Sequence, residues 1–178
     1  MSAGPLFTRV RLDDGRPCPC GGAARRSDGE APRYGDCCAP LHRRERLPET
    51  AVELMAARYS AYAAHEADFL WMTWHPRRRP DAITFEPDVE WLGLDIVDVV
   101  DGSEGDREGI VEFRARYLDA DGPGQLWERS TFMLRSKRWM YVDGEFKYRG
   151  LDWTGDGPDG GDHRRGRGRS RERGVPRA

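Results

Sequence analysis

Residues 110–142 read IVEFRARYLDADGPGQLWERSTFMLRSKRWMYV, and this stretch decides the fold. Val111, Phe113, Ala115 and Tyr117 alternate with Glu112, Arg114 and Arg116, the period of two expected of a half-buried β-strand. Asp121-Gly122-Pro123-Gly124 is a turn, Leu126–Leu134 alternates again, and Ser136-Lys137 marks a tight bend into Trp139–Val142. Strands joined by such short turns, with no helix between them, form antiparallel hairpins and not a parallel α/β sheet. Upstream the period-two pattern begins near Ile83, and Val89–Val100 is a long β-type run closed by Asp101-Gly102.

Before these strands the pattern is helical. Thr50 followed by Glu53 is a capping box, in which the hydroxyl accepts from an early backbone N–H and the carboxylate reaches back. Val52, Met55, Tyr59 and Tyr62 then recur at three- and four-residue steps, which predicts one apolar face on a helix running to about His65. A second helical piece is expected over Ala67–Trp74, ending at His75-Pro76 because the residue before proline is pushed out of the α region. Helices first and an antiparallel sheet afterwards give an α+β architecture, with the sheet curled round the capped helix.

Four cysteines, Cys18, Cys20, Cys37 and Cys38, lie in one Gly/Pro-rich stretch near the N-terminus and none occurs elsewhere. Four thiolates that close can converge on one Zn²⁺, which would replace the apolar core that so short a segment cannot build. Two disulfides are the first alternative, but Met1–Val10 has no apolar signal-peptide core, and a reducing compartment disfavours stable bridges. A redox Cys-x-Cys pair is the second, and it leaves the adjoining Cys37-Cys38 unexplained. A cytoplasmic location is the expectation, with no membrane association, since no stretch approaches the length of a transmembrane helix.

Composition bounds the rest. At 178 residues and a formal net charge of −2, the whole chain is no electrostatic match for nucleic acid. The charge is uneven: Asp81–Asp121 carries mostly carboxylates, while the tail beyond Asp162 is densely basic. Residues 154–178 are Arg/Gly-rich and nearly free of apolar side chains, so they cannot offset their ordering entropy by burial and are expected to be disordered. Such a tail could bind RNA by charge and guanidinium stacking; a solvated tail with no partner is the favoured reading.

Cys18-Pro-Cys20-Gly-Gly and Tyr34-Gly-Asp-Cys37-Cys38-Ala-Pro-Leu-His42 resemble the SEC-C zinc motif at the C-terminus of the SecA translocation ATPase. The continuation resembles the YchJ family: Thr50–Tyr62, Thr73-Trp74-His75-Pro76, Trp91-Leu-Gly-Leu94, Val111-Glu-Phe113, Glu128-Arg-Ser130 and Arg138–Gly144. The resemblance spans roughly residues 16–146 and implies a zinc knuckle fused to a cone-shaped domain of the cystatin-like, nuclear-transport-factor-2-like type. It sets boundaries of 1–16 for a flexible lead-in, 17–46 for the zinc module, 47–153 for the α+β domain and 154–178 for the tail. The loop between Cys20 and Cys37 is about twice the family length, which a surface bulge absorbs at little entropic cost. SecA has His as its fourth ligand where this chain has Cys38, so the resemblance implies a closed Cys₄ site with His42 as a spare donor. Arg16, Arg25, Arg26 and Arg33 could offset the site's negative charge or simply face solvent.

The resemblance also implies a role: an interaction module whose knuckle meets a protein or ribosomal partner, while the sheet could pair two copies. The competing reading is a small-molecule binder or acid/base enzyme in the cone. Its candidates are His75, Glu128, Arg129 and Asp143, with Tyr59, Tyr62, Trp74, Trp127 and Trp139 as walls. Glu128 is expected to pair across the sheet with an arginine such as Arg114 or Arg116. No nucleophile elbow, phosphate loop or dinucleotide fingerprint occurs, so no residue is assigned a catalytic role.

Overall fold

The Thr50 hydroxyl accepts from the Glu53 N–H at 3.1 Å, and the Glu53 carboxylate reaches back to the Glu49 N–H at 2.7 Å. The capping box thus closes, one residue further out than the motif places it. This is a computed structural model describing residues 12–24 and 30–150. Most of the lead-in, the whole Arg/Gly tail and part of the Cys20–Cys37 loop lie outside the described residues.

Among the described residues the chain forms α1 (Ala39–His42), α2 (Ala51–Ala64), α3 (Ala67–Met72), β1 (Glu90–Asp101), β2 (Glu108–Asp119), β3 (Gly122–Arg135) and β4 (Arg138–Gly150). The strands make one antiparallel meander in the order β1-β2-β3-β4. The β3–β4 turn is tight because Ser136 and Lys137 both take positive φ, 49° and 64°, matching the twist of the flanking strands. α2 ends at His65, which takes the left-handed conformation at φ 56°.

Alternation puts Val111, Phe113 and Ala115 of β2 and Leu126, Glu128, Ser130 and Phe132 of β3 on the buried face of the sheet. Glu112, Arg114, Trp127 and Arg129 stand on the other face, where Arg129 pairs with Asp98 at 2.9 Å and Glu112 at 2.7 Å. The Arg114 guanidinium lies 4.4 Å from the Trp127 ring centre. Glu128 therefore does not meet Arg114 or Arg116: its register partner on β2 is Phe113, and those arginines point the opposite way.

Four stretches depart from the sequence reading. Residues 83–89 are not a strand, and β4 runs past Val142 to Gly150. α3 stops at Met72 because the next three residues pair with β4: Tyr141 N–H donates to Thr73 C=O at 2.8 Å, and His75 N–H donates to Tyr141 C=O at 2.7 Å. α2 is buried on more than one face, with eleven of its fourteen residues inside. Leu54, Met55, Tyr59 and Tyr62 belong to the cone, whereas Ala56, Ala57 and Ser60 turn toward the cysteine module, where their small side chains permit close approach.

Candidate metal centre

The cysteine module is held by a short antiparallel bridge between Pro17 and Arg33, flanked by Cys18 N–H to Pro32 C=O at 2.7 Å and Tyr34 N–H to Arg16 C=O at 2.8 Å. This clasp brings the Cys-x-Cys turn face to face with Cys37-Cys38. On one side, the Gly21 and Ala23 N–H groups donate back to the carbonyls of Cys18 and Cys20. On the other, a 3₁₀ turn over Tyr34–Asp36 leads into Cys37, and Cys38 caps α1.

The four sulfurs lie within 4.8 Å of one another. Cys18–Cys20 are 3.5 Å apart, Cys20–Cys37 3.6 Å, Cys20–Cys38 3.7 Å and Cys37–Cys38 3.9 Å. A disulfide requires about 2.05 Å, so none is formed. A tetrahedral ion with metal–sulfur bonds of about 2.3 Å sets its ligands about 3.8 Å apart, and the observed spacings bracket that value. All four thiols are buried. The cleft beside Cys37 and Cys38 holds about 10 Å³, room for one water at most. The residues fit a closed tetrahedral metal site.

The sulfurs compete for protons. Hydrogen bonds from Cys20, then Cys37 and Cys38, pull the Cys18 thiol far below its ordinary range. Bonding to Cys18 and Cys20, with burial adding, pushes Cys37 and Cys38 far above it. Four thiols this close cannot all ionise unless a cation sits among them. The Arg46 guanidinium, which shares the cleft and pairs with Glu53 at 2.6 Å, is the cation the sequence reading missed. Arg16 and Arg33 are exposed, and Arg25 and Arg26 lie outside the described residues.

His42 is not a spare donor. Its Nε2–H donates to the Ala57 carbonyl at 2.8 Å and its Nδ1 accepts from the Tyr34 hydroxyl at 2.7 Å, so both ring nitrogens are used. Its ring also packs on Phe69 at 4.7 Å. Burial lowers its pKa to about 4, keeping the imidazole neutral. With Cys18 Sγ 3.6 Å from Ser60 Oγ and Cys38 Sγ 3.9 Å from the Ala56 carbonyl, His42 fastens the module to the back of α2.

A family model described as YchJ, middle NTF2-like domain, matches residues 50–144. The chain belongs to the YchJ family. A UPF0225 protein of Streptomyces coelicolor is 42% identical over 130 residues, 73% of this chain and 95% of that one. Another from Polaromonas naphthalenivorans is 39% identical over 135 residues, covering 72% and 96%. The solution structure of a SEC-C motif containing protein from Rhodopseudomonas palustris superposes with TM-score 0.56 at 31% identity, over 66% of this chain and 94% of that chain. The crystal structure of a SEC-C motif containing protein from Psychrobacter arcticus gives 0.61 at 25% identity, over 79% and 86%. The α+β fold of this YchJ protein and its cysteine motif thus have solved counterparts.

The cone residues singled out in the sequence divide among three places. Tyr59, Tyr62, Trp74, Glu128 and Trp139 are buried in the packed interior. Trp139 Nε1–H donates to the Glu49 carbonyl at 3.0 Å. His75 sits at the rim, its imidazole held below the usual range by burial and then by Arg135, Arg77, Arg78 and Arg79. Arg129 and Asp143 line a shallow groove on the outer face, where Asp143 accepts from the Gly144 N–H at 2.9 Å and meets Arg78 at 3.7 Å. Trp127 is on that face too, donating to Glu112 at 2.7 Å.

The interior holds a charged residue that the sequence reading passed over. Arg58 is fully buried, its guanidinium centre 4.9 Å from the Trp74 ring and 4.6 Å from the Tyr141 ring. Its Nη1 donates to the Leu70 carbonyl at 3.0 Å and to Thr73 Oγ1 at 2.8 Å, while Nε and Nη2 find no acceptor. Burial lowers its pKa, and the charge of Glu128 is among the groups opposing that shift. Glu128 Oε1 accepts from Ser130 at 2.7 Å and from the Tyr141 hydroxyl at 2.9 Å. The signal was present: an arginine among Leu54, Met55, Tyr59 and Tyr62 on one helical face has to go inside with them.

Proposed function

We propose that this YchJ protein holds one structural zinc ion on Cys18, Cys20, Cys37 and Cys38, and that the module so formed is a contact surface for a protein or ribosomal partner in the cytoplasm. The observation that carries the reading is the convergence of four buried sulfurs within 4.8 Å of one another, four of their spacings lying at 3.5–3.9 Å. Four thiolates in a tetrahedron favour zinc or an iron–sulfur centre, and a lone central ion fits four sulfurs this close. Such a site supplies folding energy, not chemistry, so function passes to the surface it orders. Arg33, Asp36, Arg43, Arg44 and Glu45 form its exposed, charged rim. Reduced thiols agree with a reducing compartment, and no helix among the described residues is long and apolar enough to cross a membrane.

The test is the metal-to-protein ratio of the reduced full chain, by elemental analysis with thiol titration, followed by pull-downs. About one zinc per chain with four protected thiols supports the site. Partners lost on Cys37→Ser or Cys38→Ser support the interaction role, whereas an unchanged partner set defeats it. A binder or enzyme working in the interior of the cone gains nothing from this packing, since Arg58, Phe113, Phe132 and Tyr141 fill it.

A further inference from the structure

The end of the cone away from Ser136-Lys137 holds a cavity of about 270 Å³, between the segment leading into β1 and the β2–β3 turn. Trp91 and Tyr117 form its wall, their rings 6.0 Å apart and inclined at 66°, and Leu126 lines it alongside them. Tyr59 and Tyr62 brace Trp91, at 5.5 and 6.1 Å. The remaining described lining is Glu86, Asp88, Asp119 and Asp121 with Pro87, Val89 and Ala120, and no arginine or lysine is among the described lining residues. None of the ion pairs between described side chains uses these four carboxylates.

We infer that this cavity is a binding site for a small organic cation, an alkylguanidinium or alkylammonium group. Aromatic faces attract a cation and shield its carbons from water, while carboxylates at the mouth supply the counter-charge. Size selects within that class: pockets for drug-sized ligands begin at about 300 Å³, so this one suits a single cationic side chain or a free small cation, not a nucleotide. None of the residues ties it to the metal centre, so the inference stands apart from the zinc reading. One chemistry has two sources. The chain carries seven arginines beyond Asp162, and β4 ends at Gly150 opposite Gln125, next to Leu126 of the cavity. The cation is either one of these or one from another molecule.

The test is titration of the full chain with butylguanidinium, followed by calorimetry and by the NMR shift of the Trp91 indole. Saturable binding is expected, weakened by salt and about tenfold tighter than for the neutral isostere butylurea. Asp88→Asn with Asp119→Asn should weaken it by about tenfold as well. Gly124→Val attacks the wall without touching a charge, because a Cβ at Gly124 would lie 2.5 Å from Tyr117 Cζ and push that ring from its place. Should that variant fail to fold, the Asn pair decides. Replacing the seven tail arginines by Gln distinguishes the sources: tighter probe binding identifies the tail as resident, and unchanged binding assigns the site to an outside cation. Equal binding of butylurea, indifference to the Asn pair, or no Trp91 response in either the native or the tail-substituted chain overturns the inference.

Discussion

The cysteine module and the cone pack on two faces of the same helix, α2, yet they fill their interiors in opposite ways. Tyr34 and Leu41 are the large apolar side chains buried in the module, whereas the cone buries Leu54, Met55, Phe69, Leu70, Phe113, Phe132 and more. A fully buried side chain of that size contributes about 1.5–3 kcal/mol, while ordering each residue costs about 1–2 kcal/mol. Two such side chains bury little for a module of this length, and on the proposed reading its four sulfurs draw a cation from outside the chain. The cone also carries a charge inside, Arg58, but meets it with its own groups: a carbonyl, a hydroxyl, two aromatic faces and the charge of Glu128. A borrowed counter-charge makes folding conditional; an internal one does not.

The largest effect should come from removing the borrowed cation. Cys18→Ser or a strong chelator is expected to abolish stoichiometric metal binding, a contribution of about 10–16 kcal/mol in isolated zinc peptides. The loss should not stay in the module, because Ala56, Ala57 and Ser60 of α2 are then uncovered. Hydrogen exchange resolves this: faster exchange of the α2 amides after chelation is expected, and unchanged α2 protection would show that the two regions fold independently.

Next in size is the cone's own charge. Arg58→Met removes the donor to the Leu70 carbonyl and the Thr73 hydroxyl and the cation between the Trp74 and Tyr141 rings, and should cost about 3 kcal/mol in urea unfolding. The double change Arg58→Met with Glu128→Gln is expected to recover a good part of that. A double variant as damaged as the single one would mean that Arg58 acts through Trp74, Tyr141 and the Leu70 carbonyl, not through charge.

How much of this was legible depends on which pattern each residue writes into the sequence. The hairpins were readable because period-two alternation places every second side chain on one face, and Glu128 shares its face with Leu126, Ser130 and Phe132. The expectation that it would pair across the sheet with Arg114 or Arg116 came from charge and ignored that parity. The cysteine cluster was readable because four thiols lie in one short stretch. The second buried face of α2 was not, since Ala56, Ala57 and Ser60 carry too little apolar area to register as a stripe; their smallness is what admits the module. His42 read as a possible ligand because its partners, Tyr34 and the Ala57 backbone, are defined only once the module docks.

His42 offers a pH test of that docking. Its folded pKa of about 4 lies below the ordinary 6.5, so between those values the unfolded chain binds a proton that the folded chain refuses. Stability is therefore full above pH 6.5 and falls as pH drops toward 4, by up to about 3 kcal/mol. Acid also releases metal, so the comparison is with His42→Gln, which keeps an amide donor for the Ala57 carbonyl and does not titrate. The difference in stability between the two chains should shrink as pH falls through this window. A constant difference would place His42 outside the load between module and helix.

The smallest effect sharpens the comparison most, because it touches the element both regions share. Thr50→Ala removes the cap of α2 and should cost about 1 kcal/mol, a change of about fivefold in the folding equilibrium. Glu53, the other half of the box, also pairs with Arg46 beside Cys37 and Cys38, so loosening the first turn is felt at the sulfurs as well as at the sheet. Amide exchange in β2 and β3 and metal transfer to a competing chelator are then two readings of one perturbation. If both accelerate by a similar factor, α2 transmits between an interior built on a borrowed cation and one built on the chain's own charges. If only the sheet amides respond, the sulfurs and their ion hold the module closed without help from the helix, and the two regions are neighbours, not one folding unit.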